Sequence, residues 1–128
     1  TLAWTILRGG SFVSPGTDAG DVIESLRAGA VVVAGDGSNY VSMVNVADMA
    51  CAVASSLKLA PAGSTFNIVD EPLRYGDYVD ATADLIGAAR PVRVPNLPLP
   101  PSWRCTNRAA LTVLGWMPRE RIWMDGWL

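Results

Sequence analysis

The sequence predicts an α/β fold with two sheet strands, a β-hairpin and about four helices. β-prone runs at 4–7 and 65–69 carry apolar side chains on both sides of the pleat, which is typical of α/β strands covered on both faces. Segments with apolar residues at helical spacing lie between and after these runs. The length of 128 residues and the 50% hydrophobic composition fit one domain with its own core.

The composition excludes several classes of function. The formal net charge is −2 and no basic run occurs, which disfavours nucleic acid and anionic membranes as partners. No apolar stretch approaches the roughly 20 residues that span a bilayer, and no signal-peptide pattern opens the chain, so we expect a cytoplasmic location. The absence of histidine excludes Ser-His-Asp and Cys-His nucleophiles and histidine metal sites. Cys51 and Cys105 lack metal-type spacing and are expected to be reduced, partly buried thiols.

The first strand ends at a glycine-rich turn that is a candidate ligand site. Open α/β sheets bind ligands in loops at the carboxyl ends of their strands. Gly10 permits close backbone approach, Ser11 offers a hydroxyl group, and Phe12 closes the apolar side of a pocket. An ordinary strand-to-helix turn explains these residues equally well, with a helix capped by Thr17 or Asp18 behind it.

A second glycine-rich turn, followed by a half-polar strand, predicts a hairpin that leads directly into a helix. Asp36 and Gly37 tolerate positive φ and favour a two-residue hairpin turn. Together with Gly35 they imitate the first glycines of a dinucleotide-binding turn, but a strand and not a helix follows, so we interpret the turn as structural. Asn45 or Asp48 can cap the helix, which continues to position 59.

Polar side chains in the returning strand, and one later arginine, are candidate ligand contacts. Tyr40, Ser42 and Asn45 alternate imperfectly with apolar neighbours, so they either face a ligand or serve the local structure. Arg104 either clamps an anionic substrate group or stacks on Trp103 at the surface. Four late tryptophans are expected to pack the C-terminal tail. They are Trp103, Trp116, Trp123 and Trp127.

The second half of the chain predicts two further helices around a proline-rich connection. One helix is expected at 75–86. A short strand at 92–94 precedes an extended segment at 95–101, because proline lacks an N–H group and restrains the residue before it. Thr106 is the predicted cap of the last helix, which ends at Gly115.

Five short motifs occur in a characteristic order. They are Trp4-Thr5-Ile6-Leu7-Arg8-Gly9-Gly10-Ser11-Phe12 with Pro15-Gly16, Gly35-Asp36-Gly37, Val44-Asn45-Val46-Ala47-Asp48-Met49-Ala50, Phe66-Asn67-Ile68-Val69-Asp70, and Leu114-Gly115-Trp116-Met117-Pro118-Arg119. In this order they resemble the C-terminal half of the extended and atypical short-chain dehydrogenase/reductases, the NAD-dependent epimerase/dehydratase group. The resemblance covers nearly the whole chain and implies that residues 1–128 form one substrate-binding half of a Rossmann-like fold.

The sequence also departs from this family's pattern. The cofactor-binding glycine-rich turn is missing, and so is a tyrosine followed four residues later by lysine, since the sole lysine, Lys58, follows Ala54 at that spacing. Nucleotide-sugar members usually carry an Arg-Asp pair where Val41 and Ser42 stand, and the arginine of that pair can grip phosphate. A smaller or more apolar carbonyl or hydroxyl compound is therefore the expected substrate.

The resemblance implies a division of labour between this chain and another part of a complete enzyme. NAD or NADP would serve the complete fold, whereas this chain alone is expected to bind neither and to transfer no hydride. The implied cofactor contacts are Gly10, Ser11 and Phe12, and the implied substrate contacts are Val13, Tyr40, Ser42, Asn45 and Arg104. The expected partner is the missing N-terminal Rossmann half, or a second copy that pairs through exposed strands. A non-catalytic ligand-binding or interaction module, and a truncated piece without function of its own, are the alternatives.

Overall fold

The computed structural model describes residues 2–120, and within them it has four helices and eight short strands. The strands are β1 (Thr5–Gly9), β2 (Ser11–Val13), β3 (Val32–Ala34), β4 (Tyr40–Val41), β5 (Met43–Asn45), β6 (Ser64–Ile68), β7 (Leu73–Arg74) and β8 (Val92–Val94). The helices are α1 (Asp18–Arg27), α2 (Val46–Leu59), α3 (Tyr75–Ile86) and α4 (Arg108–Leu114). The predicted α/β class is confirmed, as are the helix at 75–86 and the short strand at 92–94.

The described strands form four two-stranded sheets. β1 and β6, the two sheet strands that the sequence predicts, pair in parallel, and Arg8 lies opposite Asn67 in their register. The pairs β2–β5 and β3–β8 are also parallel, whereas β4 and β7 are antiparallel. Because parallel neighbours need long crossover connections, helices lie between the partners along the chain.

The prediction of a β-hairpin after Ala34 is wrong. A turn does form, since the N–H of Gly37 donates to the carbonyl of Ala34 at 3.0 Å and φ is +56° at Gly35 and +72° at Gly37. However, β3 pairs with β8 and β4 pairs with β7, so the strands on either side of the turn do not pair with each other. The N–H of Gly76, in the first turn of α3, donates to the carbonyl of Gly37 at 2.9 Å. This contact with α3 holds the turn, and β4 continues toward β7.

The expectation that the first strand is covered on both faces is wrong for the described residues. Leu7 packs against the core that contains Phe66, but Trp4 and Ile6 remain 50% and 46% exposed. Helix α2 contacts β1 and helix α4 contacts β6, and no described helix covers the opposite face. One apolar face of the β1–β6 sheet is therefore open, together with one edge of each strand.

The core consists of two apolar clusters. One joins α1 and α3 to β2, β3 and β5, through Val13, Ala19, Val33, Met43, Tyr78 and Val79. The other joins α2 and α4 to β5 and β6, through Val44, Ala52, Phe66, Ile68, Ala110, Leu114 and Trp116. Strand β5 contributes Met43 to the first cluster and Val44 to the second. It therefore fixes the position of Ser42, the residue before it, relative to both clusters. No helix among residues 2–120 combines the length and the apolar character that crossing a membrane requires.

The predicted helix caps are confirmed in part. Asn45 caps α2, because its Oδ1 accepts from the N–H two positions later at 2.8 Å. Thr17 precedes α1, but its hydroxyl donates to the carbonyl of Ser14 at 2.6 Å and makes no cap bond. Helix α4 begins at Arg108, one residue later than predicted, and Thr106 Oγ1 accepts from the N–H of Arg108 at 3.3 Å.

Since Asn45 is the N-cap of α2, Asp48 does not cap this helix. Its side chain is buried, and its carboxylate accepts from the backbone N–H groups of Arg119 and Glu120 at 2.9 to 3.1 Å. Its carbonyl oxygen accepts from Trp116 Nε1 at 2.9 Å. Asp48 thus ties the segment after α4 to the start of α2. Trp116 packs in the core as predicted, whereas Trp123 and Trp127 lie outside the described residues.

Tyr78 makes the stability of the fold sensitive to alkaline pH. It is 2% exposed, and burial raises the pKa of its hydroxyl from 10.0 to about 12. Between these values the unfolded chain releases the proton and the folded chain keeps it, so the free energy of unfolding should fall by roughly 1.4 kcal/mol per pH unit. Urea unfolding measured from pH 9 to 12 tests this. The free energy of unfolding of the Tyr78→Phe variant should fall less steeply with pH than that of the parent chain. Equal slopes would contradict the assignment.

Candidate functional site

A cavity of about 420 Å³, named the main cavity for its position, lies at the carboxyl ends of β1 and β6. Its lining comes from the end of β1, the junction of β4 and β5, the end of β6, and the segment after the proline-rich connection. The lining residues are Arg8, Gly9, Gly10, Ser11, Val41, Ser42, Asn67, Val69, Trp103 and Cys105. This is the edge of a parallel sheet where α/β folds bind ligands, and the volume is within the usual range of small-molecule sites.

The floor of the cavity is a close backbone contact between Gly10 and Ser42. A Cβ at Gly10 would lie 2.5 Å from the Ser42 carbonyl oxygen, which also accepts from the N–H of Ser11 at 2.9 Å. The N–H of Gly10 donates to the carbonyl of Ile68 at 3.2 Å. The close approach that glycine permits here is therefore made to the protein's own backbone.

One wall of the cavity depends on the Ser42 hydroxyl. Ser42 is 7% exposed; its Oγ donates to the carbonyl of Trp103 at 2.8 Å and accepts from the N–H of Cys105 at 3.1 Å. The N–H of Trp103 donates to the carbonyl of Tyr40 at 2.8 Å. These bonds hold the 103–105 segment beside the cavity, with the Trp103 side chain 63% exposed and not packed in the tail as predicted.

Tyr40 and Arg104 lie together next to this cavity. The guanidinium of Arg104 lies 4.8 Å from the centroid of the Tyr40 ring. Stacking on Trp103 was one of the two alternatives that the sequence left open for this arginine. Arg74, the cross-strand partner of Tyr40, lies 5.8 Å from the same centroid. A hydrogen bond from Arg74 lowers the pKa of the Tyr40 hydroxyl. Arg104 also lines a neighbouring cavity of about 230 Å³, which shares Cys105 with the first.

The remaining predicted site residues lie away from the main cavity. Phe12 is 44% exposed and lines a smaller apolar cavity of about 150 Å³ together with Val13, which is fully buried in the core. Asn45, the register partner of Val13, uses its side chain to cap α2. The structure thus brings three predicted residues into the main cavity: Gly10, Ser11 and Ser42.

The cavity residues that the sequence reasoning missed include two with hydrogen-bonding side chains on neighbouring strands. Arg8 and Asn67 are register partners near the carboxyl ends of the two paired strands, and both line the cavity. Their place near the ends of two predicted strands is a signal that was present in the sequence. Of the two cysteines, Cys105 is half-buried at the cavity, whereas Cys51 is exposed on α2, so its predicted burial is wrong.

The described residues do not form a dinucleotide phosphate site at the 35–37 turn. The N–H of Gly35 donates to the carbonyl of Val94 at 2.9 Å, and the N–H of Gly37 is also bonded within the protein. A Cβ at Gly37 would lie 2.6 Å from Gly76 Cα, which leaves no space for a phosphate group. Within residues 2–120, no group of three or more potential metal-ligating side chains lies together.

Solved structures show which fold the chain has. UDP-glucose 4-epimerase from Thermotoga maritima, solved with UDP-glucose, matches 94% of this chain over 42% of its own length, with 21% identity and a TM-score of 0.77. UDP-glucuronic acid 4-epimerase from Bacillus cereus, solved with UDP-glucuronic acid and NAD, matches 92% over 41% of its length, with 18% identity and a TM-score of 0.72. RMD from Pseudomonas aeruginosa, complexed with NADPH, matches 92% over 43%, with 19% identity and a TM-score of 0.68.

These matches concern part of each larger protein. The chain spans about two fifths of the length of these structures. No protein-family model and no curated protein matches the sequence. The chain therefore has the same α/β fold as the matched parts of these three enzymes, in agreement with the fold that its ordered sequence motifs predicted.

Proposed function

We propose that this chain is the substrate-side part of an NAD(P)-dependent oxidoreductase or epimerase. The observation that carries the proposal is the cavity at the carboxyl ends of β1 and β6. It lies in a fold shared with enzymes that were solved with NAD or NADPH. In this reading the chain shapes the substrate pocket, and another part of the protein supplies the nicotinamide cofactor, whose bound form accepts or donates hydride.

The residues of this chain would bind and orient a substrate. Val41, Val69 and Trp103 provide apolar walls, against which the apolar part of a substrate would pack. The Ser11 hydroxyl and the Asn67 amide provide hydrogen-bonding groups at the same cavity. Among residues 2–120, no tyrosine or lysine lines the cavity, so in this proposal the group that moves a proton at the substrate would come from the same partner segment as the cofactor.

The open face of the β1–β6 sheet would receive that partner segment. Trp4 and Ile6 leave an apolar surface there, and β1 has one unpaired edge among the described strands. The chain carries 17% charged residues, against about 25% in typical soluble domains. This low fraction indicates that part of its surface is covered by a partner. The solved relatives contain more than half of their length beyond the matched part. The occupant that we propose is an N-terminal cofactor-binding half.

The proposed substrate is a small carbonyl or hydroxyl compound rather than a nucleotide sugar. Val41 lines the cavity as an apolar wall and Ser42 is bonded to the 103–105 segment. No guanidinium is therefore supplied at these two positions for a diphosphate. A non-catalytic ligand-binding module is the second candidate, and the lack of a proton-transferring tyrosine or lysine in the cavity favours it.

The proposal requires a longer reading frame that also encodes the cofactor-binding half, and the test compares this chain with the product of such a frame. Nicotinamide fluorescence should show saturable binding of NADH or NADPH to the longer product and none to residues 1–128 alone. In the longer product, Gly10→Ala should reduce substrate turnover at least tenfold, because the added Cβ would lie 2.5 Å from the Ser42 carbonyl oxygen and distort the cavity floor.

Gly20→Ala, in helix α1 and outside the lining of the main cavity, is the matched control for this substitution. Its Cβ would meet only the Ser14 carbonyl oxygen, at 3.9 Å, so turnover should change much less. If the longer product binds neither NADH nor NADPH, the oxidoreductase proposal is refuted. Nucleotide binding without turnover of any carbonyl or alcohol would instead support the binding module.

A further inference from the structure

Among residues 2–120, Arg8 is the one charged residue that lines the main cavity. Three other arginines, Arg27, Arg90 and Arg93, each pair with a carboxylate at 2.6 to 2.7 Å. Within residues 2–120, Arg8 makes no such pair. The main cavity thus has a positive charge at its edge, and no acidic side chain of the described part of the chain lines it.

Asn67 extends this positive group into a donor cluster. Arg8 and Asn67 are direct register partners on adjacent parallel strands, so their side chains leave the same face of the sheet about 5 Å apart. Leu7 packs into the core on the other face, which places Arg8 on the open side of β1. Neither side chain has a hydrogen-bond partner in the described part of the chain. A guanidinium and an amide side by side offer N–H groups suited to a carboxylate or phosphate.

The surroundings of this cluster define the rest of the ligand. Trp103 and the two valines of the lining provide a flat and apolar surface, while the volume of about 420 Å³ limits the ligand to a small molecule. An anionic group next to an aromatic or aliphatic portion is the chemistry that matches these walls.

We propose that the main cavity binds a small anionic carbonyl or hydroxyl compound, with its carboxylate or phosphate held by Arg8 and Asn67. The anionic group follows from the cavity itself, whereas the carbonyl or hydroxyl group rests on the proposed function above. This assignment makes Arg8 a substrate-positioning residue at the end of β1, a role that none of the sequence motifs indicated.

The experiment titrates the 128-residue chain with phenylglyoxylate, with its neutral methyl ester, and with phenyl phosphate. Binding is followed by the NMR signals of the Asn67 side-chain amide and Trp103 Nε1–H. We expect phenylglyoxylate or phenyl phosphate to bind at least tenfold tighter than the ester, and the tighter of the two identifies the anionic group. Arg8→Gln should abolish this preference and Arg8→Lys should restore part of it. Arg108→Gln, at an exposed arginine on α4, should leave it unchanged.

Several results would overturn the assignment. They are equal affinity for acid and ester, an anion preference that survives in Arg8→Gln, or shifts confined to the neighbouring cavity at Arg104. A longer gene product that binds NADH or NADPH but has lost the Arg8-dependent binding would also do so, since Arg8 would then be a contact of the added segment. An Arg8-dependent anion site in a protein whose longer form binds no nicotinamide nucleotide would support the anion site and refute the oxidoreductase function.

Discussion

Replacing Asp48 with alanine should lower the free energy of unfolding by about 3 kcal/mol, since hydrogen bonds to charged groups contribute about 1.5–3 kcal/mol each and are not additive. The carboxylate is 2% exposed and accepts from the backbone N–H groups of Arg119 and Glu120. Its removal leaves these donors without their partner and releases the segment that follows Trp116. Urea unfolding followed by far-UV circular dichroism measures the change.

Two further variants separate the effect of losing these hydrogen bonds from the effect of losing a negative charge. Asp48→Asn keeps one acceptor oxygen and should lose about half as much stability as Asp48→Ala. Asp77→Ala removes an exposed acidic residue from the first turn of α3 and should have a much smaller effect. If Asp48→Ala costs no more than Asp77→Ala, the carboxylate does not anchor the C-terminal segment.

The second large effect is expected for Gly37→Ala, which should cost about 3 kcal/mol, the sum of roughly 1 kcal/mol for a left-handed backbone and roughly 2 kcal/mol for overpacking. The new Cβ would lie 2.6 Å from Gly76 Cα and 2.7 Å from Val33 Cγ1, and φ at this glycine is +72°. The backbone of α3 cannot yield as a flexible side chain would. The turn that leads into β4, and therefore the cavity wall at Ser42, depends on this contact.

Gly16→Ala is the matched control for the packing part of this effect. Gly16 has φ of +80°, but a Cβ there would meet no atom within 4 Å. Gly16→Ala should therefore lower the free energy of unfolding by about 1 kcal/mol, from the backbone conformation alone. Thermal or urea unfolding of both variants gives the difference, and equal losses at Gly37 and Gly16 would show that the contact with Gly76 does not hold the turn.

The local predictions succeeded where short-range interactions decide the structure. Helix α3 begins and ends at the predicted residues, and Asn45 caps α2 through its own side chain. Val92–Val94 forms a strand before the proline-rich segment. Side-chain periodicity, caps and proline geometry act within a few residues, so the sequence carries them directly. The ordered motifs also predicted the fold, and the similarity to solved structures confirms that prediction.

Only the tertiary structure decided which distant residues meet. The chemistry of the 35–37 turn determines a bend, but the neighbour of β4 is β7, because α3 packs on Gly37. Asp48 finds its N–H partners at Arg119 and Glu120, and the cavity acquires its cationic edge because β1 and β6 align Arg8 with Asn67. Strand pairing and buried polar contacts join segments far apart in the chain, so their energies depend on the assembled core and not on any local pattern.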